Sequence, residues 1–454
     1  MTRPAYLSGV IEGFYGRPWR HDQRLTLFPR LAAWGFTSYV YAPKDDIKLR
    51  ARWREPYDDL ELAALAALVA GCAAHGVRFG YAIAPCLDVR YAEDAEVERL
   101  VTKVDQLVDL GARDVLLLFD DVPHRLDDAS RARFGRLAQA QAHLSERLFD
   151  HLRSRVPDGR RIVCPTDYCR RMADASGDAW GYLRTLGERL GPDVDVCWTG
   201  DEIVSERIDA ASVADVADVL GRRPVIWDNL HANDYDLRRL YLGPVAGRSA
   251  DLVDATAGFL TNPNTPFEVN DVAFATLAAY LADPVGYDPA RAWERALEAW
   301  RPAFAVDGGD ELTEAELRLL AEHCYLPWSS GPLVEALLDD ARDVIDAPPD
   351  ASDPRLGRVR SHAHDVERLL ERLTELTDRD LLYALYGVVW EARTESRALA
   401  EYLDHRAGGG APQRFGRPDH LANTYRRGFA ADVQALLPLD RDGRVAVPTA
   451  KDSR

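Results

Sequence analysis

Asp114–Asp121 reads DVLLLFDD. Four apolar residues, Leu116-Leu117-Leu118-Phe119, run directly into two carboxylates. The apolar positions are consecutive rather than alternating, which suits a strand covered on both faces. Charge placed straight after such a run is costly unless it is paired or used. The stretch therefore predicts a parallel strand whose end carries a functional acidic pair.

Seven other segments share this form: Tyr6–Glu12 (YLSGVIE), Ser38–Pro43 (SYVYAP), Arg78–Pro85 (RFGYAIAP), Arg161–Tyr168 (RIVCPTDY), Val194–Asp201 (VDVCWTGD), Pro224–Leu230 (PVIWDNL) and Gly258–Pro263 (GFLTNP). Each is rich in Val, Leu, Ile or aromatics and closes on a polar, Gly or Pro signal. Helical patterns lie between them, at Leu60–Ala74, Glu93–Leu110 and Arg131–Leu152, and Leu25, Phe28, Leu31 and Ala32 give the first intervening segment an apolar stripe. Eight strand–helix units predict an α/β protein with a (β/α)8 TIM barrel. A doubly wound open sheet is the competitor. No Gly-rich phosphate loop follows the first strand, and Gly13 and Gly16 lack dinucleotide-binding spacing. The unit after Leu230 is the weakest. Asn233–Gly243 is loop-like, with Leu237–Tyr241 as at most one helical turn.

Beyond about residue 285 the pattern changes. Trp293–Ala303, Thr313–His323, Leu333–Val344, Ser361–Leu376, Leu381–Glu401 and Leu421–Ala435 read as amphipathic helices. Ala347–Arg355 and Gly408–Arg417 read as loops, and Val445–Val447 is the only strand-like run. The expected organisation is a barrel over residues 1–285, an all-α helical bundle over 286–438 and a frayed, flexible tail over 439–454.

The 454 residues include 74 acidic and 56 basic ones, for a formal charge of -18. Such a field argues against nucleic acid and anionic membranes as partners. Six cysteines are sparse for a disulfide framework, and Cys164 and Cys169 have no second pair nearby to complete a zinc site. His124 and His231 are scattered, so no metal is expected. The N-terminal stretch has no signal-peptide core, and no run is of membrane-spanning length. A cytoplasmic enzyme with reduced thiols is expected.

In a barrel of this kind the site lies at the C-terminal strand ends. These ends carry Glu12-Gly13, Lys44-Asp45-Asp46, Asp120-Asp121, Asp167-Tyr168, Trp198-Thr199-Gly200, Trp227-Asp228-Asn229 with Asn233-Asp234, and Asn262. Carboxylates and amides suit sugar hydroxyls, and aromatics suit the apolar faces of a pyranose. Nothing comparable marks a cofactor site, so none is expected. Acidic pairs also occur at Asp45-Asp46, Asp127-Asp128 and Asp339-Asp340. Taken alone, Asp120-Asp121 is equally a helix cap or a solvated loop; its place at a strand end sets it above the others. Two adjacent carboxylates repel, so one is expected to hold its proton more tightly and to serve as a general acid. Neighbouring side chains on an ideal strand point to opposite faces. Both reach one ligand only where the strand ends and bends, and then from one side. Carboxylates so placed do not flank an anomeric carbon. They suit a substrate that supplies its own nucleophile, as a C2 N-acetyl group can.

At these residues the chain resembles glycoside hydrolase family 84, the protein O-GlcNAcases and bacterial β-N-acetylglucosaminidases. The resemblance rests on GVIEGFYGRPW (Gly9–Trp19), YAPKDD (Tyr41–Asp46), WREPY (Trp53–Tyr57), LLLFDD (Leu116–Asp121), CPTDYC (Cys164–Cys169), WTG (Trp198–Gly200), WDNLHANDY (Trp227–Tyr235), LGPVAGR (Leu242–Arg248) and TNPN (Thr261–Asn264), in family order. Leu319–Pro332 resembles, more loosely, the helical stalk of several members. The resemblance implies that Asp121 is the general acid/base and that Asp120 orients the acetamido N–H. It implies an oxazoline intermediate and retention of β configuration. Tyr168 would donate to the acetamido oxygen, and Trp227 would line the N-acetyl pocket. Lys44, Asn229, Asp234 and Asn262 would bind hydroxyls and the acetamide, with Gly13 close to the sugar. Cys86-Leu87 departs from the Gly-Leu of many relatives, which puts the reducing-end surroundings in doubt. The implied partner is a GlcNAc-bearing glycoprotein, glycopeptide or small glycoside, and the bundle is a candidate homodimer interface. Endo-cleavage in the manner of a hyaluronidase is the nearest alternative, and a non-catalytic GlcNAc-binding protein the alternative outside enzymes.

Overall fold

Eight parallel strands close into a barrel in the computed structural model of the protein, which describes residues 6–346, 352–408, 414–415, 428–437 and 445–446. They are β1 (Leu7–Glu12), β2 (Ser38–Tyr41), β3 (Arg78–Ile83), β4 (Asp114–Leu118), β5 (Arg161–Cys164), β6 (Val194–Trp198), β7 (Val225–Asp228) and β8 (Gly258–Thr261). Each strand pairs with the next in sequence, and β8 closes on β1 from Leu7↔Gly258 to Val10↔Thr261. Every strand residue is buried except the half-buried Arg78 and Asp195. Both faces are thus covered, as the unbroken apolar runs required. Gly9 sits where β1 meets β2. A Cβ there would lie 1.8 Å from the carbonyl oxygen of Ser38, so no side chain fits.

Helices α1 (His21–Ala33), α2 (Asp59–Ala74), α3 (Asp94–Asp109), α4 (Asp128–Phe134), α5 (Leu137–Arg155), α6 (Arg170–Ala175), α7 (Gly181–Arg189), α8 (Ala210–Leu220) and α9 (Leu252–Ala255) fill the connections. Two expectations change here. The single helix expected over Arg131–Leu152 is two, α4 and α5, because Gly135 takes φ 73 and stops the first. Asn233–Gly243 is loop, and the helical turn that Leu237–Tyr241 could have formed is replaced by a single turn closed by Arg239 N donating to Asp236 O at 3.0 Å. The Asp236 carboxylate accepts from Arg238 N at 3.2 Å and Nε at 3.0 Å, a local bond that competes with helix. The only helix between β7 and β8 is the four-residue α9.

After β8 come α10 (Asp271–Ala282), α11 (Pro289–Trp300), α12 (Glu314–His323), α13 (Pro332–Asp346), α14 (Pro354–Thr374), α15 (Arg379–Gly408) and α16 (Phe429–Leu436). Helix α14 starts at Pro354 rather than at Ser361. Asp353 caps it by accepting from Arg355 N at 2.9 Å, and Pro354 suits the first helical position. The loop expected over Gly408–Arg417 contains a two-residue strand, β9 (Arg414–Phe415), paired antiparallel with β10 (Val445–Ala446). Residues 347–351, 421–427 and the rest of the expected tail lie outside the described residues.

The chain divides into two compact units. One comprises residues 1–235, 245–267 and 277–287, the other 236–244, 268–276 and 288–454. Within the second, one core gathers Trp293, Trp300, Leu317, Leu373 and Leu385, and another gathers Val334, Leu338, Val366, Leu399 and Phe429. All six cysteines are free, and Cys86 alone is only half-buried. Among the described residues no helix is long and apolar enough to cross a membrane.

Candidate active site

Strand β4 stops at Leu118, and the next three residues build the centre of the site. Phe119 is still tied to β5, its N–H donating to Cys164 O at 2.9 Å. Asp120 is buried. Asp121 is exposed and takes φ 57, in the left-handed region that Asp tolerates better than most residues. The strand therefore ends and bends at the acidic pair.

The two carboxylates meet different surroundings. Lys44, past the end of β2, donates from Nζ to Asp120 Oδ2, with both side chains almost wholly buried. Asp120 Oδ1 is buried and has no hydrogen-bond partner among the described residues. Asp121 accepts at Oδ2 from the Tyr15 hydroxyl and at Oδ1 from the Tyr168 hydroxyl, both at 2.8 Å. Burial, reinforced by the Asp121 charge, pushes both phenols well above their ordinary pKa, so they remain neutral donors. Tyr15 N also donates to Asp234 Oδ2 at 2.8 Å. Burial raises the Asp234 carboxyl, the Tyr15 N–H opposes this, and the Asp121 charge adds to it.

Gly13 lies under Trp227. A Cβ on Gly13 would sit 2.4 Å from the indole Cζ2, so the ring can occupy its place only above glycine. Trp227 Nε1 donates to Asn229 Oδ1 at 3.1 Å, and Asn262 Nδ2 donates to the same oxygen at 2.9 Å. Asn229 Nδ2 donates in turn to Ile203 O at 2.8 Å. Asn262 Oδ1 is left buried without a partner. The Lys44 ammonium stands 5.8 Å from the ring centres of both Tyr15 and Trp227. Gly13, Lys44, Asp120, Asp121, Tyr168, Trp227, Asn229, Asp234 and Asn262 are thus joined in one network through Lys44, Trp227 and Tyr15.

Other strand-end polar groups are taken up by the scaffold. Glu12 accepts both prongs of Arg24, at 2.8 and 2.6 Å, together with Tyr39 and Trp19 N. Asp46 accepts from Tyr41 and Tyr57, and Asp228 pairs with Arg248. Asp167 bonds His124 at 2.7 Å. Two residues absent from the expected set enter it. Tyr15 links Asp121 to Asp234, and Arg50 donates to the Tyr15 hydroxyl. Tyr15 stood inside the GFYG stretch; Arg50 carried no local signal. Cys86 lies beside the pair, Sγ 3.9 Å from Asp120 O, its thiol pushed up to about 12 by burial. Among the described residues no three His, Cys, Asp or Glu are grouped to hold a metal ion.

A parallel barrel with paired carboxylates, amides and aromatics at its strand ends defines a barrel of the glycoside hydrolase class. The model of the β-N-acetylglucosaminidase family matches residues 8–317, and the chain belongs to that family, glycoside hydrolase family 84. It is 44% identical over 275 residues to the protein O-GlcNAcases of Rattus norvegicus and of Mus musculus. That match covers 61% of this chain but only 30% of each relative. A solved mutant of the O-GlcNAc hydrolase of Thermobaculum terrenum superposes with a TM-score of 0.74 at 28% identity, covering 88% of this chain and 83% of that one.

Proposed function

We propose that the protein is an exo-acting, retaining β-N-acetylglucosaminidase that uses the substrate's own acetamide as nucleophile. The observation that carries this is the acidic pair. Its two carboxylates leave one bent strand end together, one buried with a free oxygen and one exposed between two phenols. Asp121 in its acid form gives its proton to the glycosidic oxygen as the bond to the anomeric carbon breaks. The acetamido oxygen bonds that carbon, forming an oxazoline. Asp120 Oδ1 is the natural acceptor for the acetamido N–H, with Lys44 holding the other oxygen. Tyr168 turns its hydroxyl to the acetamido oxygen. Asp121, now a carboxylate, takes a proton from water as the water oxygen attacks the anomeric carbon and opens the ring. Two displacements restore the β configuration. Trp227 packs on the acetamide, and Asn229, Asp234 and Asn262 surround the sugar. The relatives' names point to GlcNAc on proteins as the substrate; small β-glycosides share the same sugar.

The six free thiols fit a reducing compartment, the cytoplasm. Residues 1–285 form the catalytic barrel in this account, and the helices that follow pair two copies. Tyr383, Tyr386 and Trp390 stand exposed on one stripe of α15, which supports a homodimer there. Replacing Trp390 with Glu should then lower the mass in solution by half.

The test of the activity is Asp121→Asn. Turnover of an alkyl β-N-acetylglucosaminide should fall by at least about a hundredfold, the scale of general acid catalysis. A dinitrophenyl glycoside, whose leaving group needs no proton, should lose far less in its first step. Equal rates for the variant and the unsubstituted enzyme on the alkyl glycoside would remove Asp121 from its role.

A further inference from the structure

The two phenols on Asp121 are not equivalent. Tyr168 has Asp121 as its only hydroxyl partner among the described residues. The Tyr15 hydroxyl has a second, the buried guanidinium of Arg50, which also lies 5.3 Å from the centre of the Tyr15 ring. A phenol carries one proton, and a guanidinium can donate but cannot accept. Receiving a bond from Arg50 therefore obliges Tyr15 to aim its only proton at Asp121. Nothing imposes this on Tyr168, which is free to rotate toward a ligand.

We propose that Arg50 is a positioning residue for the acid/base step, locking Tyr15 as a fixed donor to Asp121. The assignment rests on the function proposed above. The locked donor keeps one Asp121 oxygen oriented through both halves of the reaction, while Tyr168 releases the other oxygen to the glycosidic oxygen and then to water. A permanent donor also favours the carboxylate over the acid. The other charged or titratable groups near Asp121 are Tyr168, Asp234, Cys86 and the Lys44–Asp120 pair, and none of them is substituted in the variants below.

The test is the pH dependence of kcat/KM for Tyr15→Phe, Arg50→Met, Arg50→Lys and the double variant Tyr15→Phe/Arg50→Met. Two substrates are compared, a methyl and a dinitrophenyl β-N-acetylglucosaminide. The alkaline limb for the methyl glycoside reports loss of the acid form of Asp121 in the free enzyme. Losing a hydrogen-bond donor disfavours the charged form of a carboxylate, so Tyr15→Phe should displace that limb upward. Arg50→Met should move it in the same direction, and Arg50→Lys should return part of the shift. The double variant should shift no further than Tyr15→Phe alone, because Arg50 acts through the hydroxyl already removed. The dinitrophenyl glycoside should show little change in any variant.

Additive shifts in the double variant would mean that Arg50 acts through space and not through Tyr15, and would overturn the relay. An equal loss on both substrates at every pH would reduce Arg50 to a support of its turn. Turnover by the unsubstituted protein with unshifted limbs in the variants sinks the relay and leaves the proposed activity standing. No turnover of either substrate by the unsubstituted protein sinks both.

Discussion

Lys44 and Asp120 form a buried ion pair whose removal has a computable cost. The two side chains are 2% and 8% exposed. Lys44 is the only hydrogen-bond partner of the Asp120 carboxylate among the described residues, since Oδ1 has none. Replacing Lys44 with Met keeps the stem and deletes the charge. Asp120 is then a buried anion with no compensation. Breaking one side of such a pair costs about 3–5 kcal/mol. The Asp120 side chain keeps a small exposure of 8%, so the lower figure applies. A loss of about 3 kcal/mol raises the unfolding constant roughly a hundredfold and lowers Tm by on the order of 3–5 °C. Converting the stranded anion to an amide removes most of the penalty. Lys44→Met/Asp120→Asn should therefore recover about 2 kcal/mol of the loss, although neither variant is catalytically competent. The assay is urea unfolding followed by Trp fluorescence for the four corners of the cycle, with m held constant. A single variant within about 0.5 kcal/mol of the parent, or a double variant less stable than Lys44→Met, would show that Asp120 finds another partner and that its environment has been misjudged.

Gly13→Ala places a methyl 2.4 Å from Trp227 Cζ2 and 3.0 Å from Cη2. The ring is tethered through Nε1 to Asn229, so overpacking of about 1–3 kcal/mol should appear as a 10- to 100-fold drop in kcat/KM, partly restored by Trp227→Phe. Glu12→Gln breaks the buried bidentate pair with Arg24 and should cost about 3 kcal/mol in urea unfolding, yet leave the pH profile of turnover in place. A displaced pH limb would return Glu12 to the catalytic set. Glu395 in α15 is pushed up to about 7 by burial, against a hydrogen bond from Gln434 and with help from the Glu391 charge. Its folded pKa lies above the ordinary carboxylate value, so the folded state holds the extra proton between about pH 4.5 and 7, and stability falls as pH rises through that window. Glu395→Gln should accordingly stabilise the protein by about 2 kcal/mol at pH 8 and by nothing measurable at pH 4.5; an equal gain at both pH values would refute the linkage.

The barrel was legible because its strands are buried on both faces. That condition writes itself as unbroken apolar runs, and the polar residue ending each run marks the open end of the barrel. DVLLLFDD and VIWDN carry both signals at once. The helix break at Gly135 was less visible, since one glycine in an amphipathic stretch is tolerated as often as it ends a helix. The same ambiguity hid the start of α14, where Asp353-Pro354 reads as readily as a loop. Within the site, sequence grouped Glu12, Asp46 and Asp228 with the acidic pair because all end strands. Only the fold shows that Arg24, Tyr57 and Arg248 have already claimed them. Arg50 was invisible for the opposite reason. It is one basic residue among 56, and its partner Tyr15 lies 35 positions away. Contacts made across the mouth of a barrel leave no local pattern.

The central claim is that the acidic pair supplies no nucleophile and that the substrate's acetamide does. Its most direct measurement is kcat/KM for aryl β-glycosides of one leaving group bearing N-acetyl, N-fluoroacetyl, N-difluoroacetyl and N-trifluoroacetyl groups. Each fluorine makes the acetamido oxygen a poorer nucleophile. The account predicts a steep, monotonic fall along the series. A flat series would mean that a protein carboxylate or water attacks first, and would contradict it.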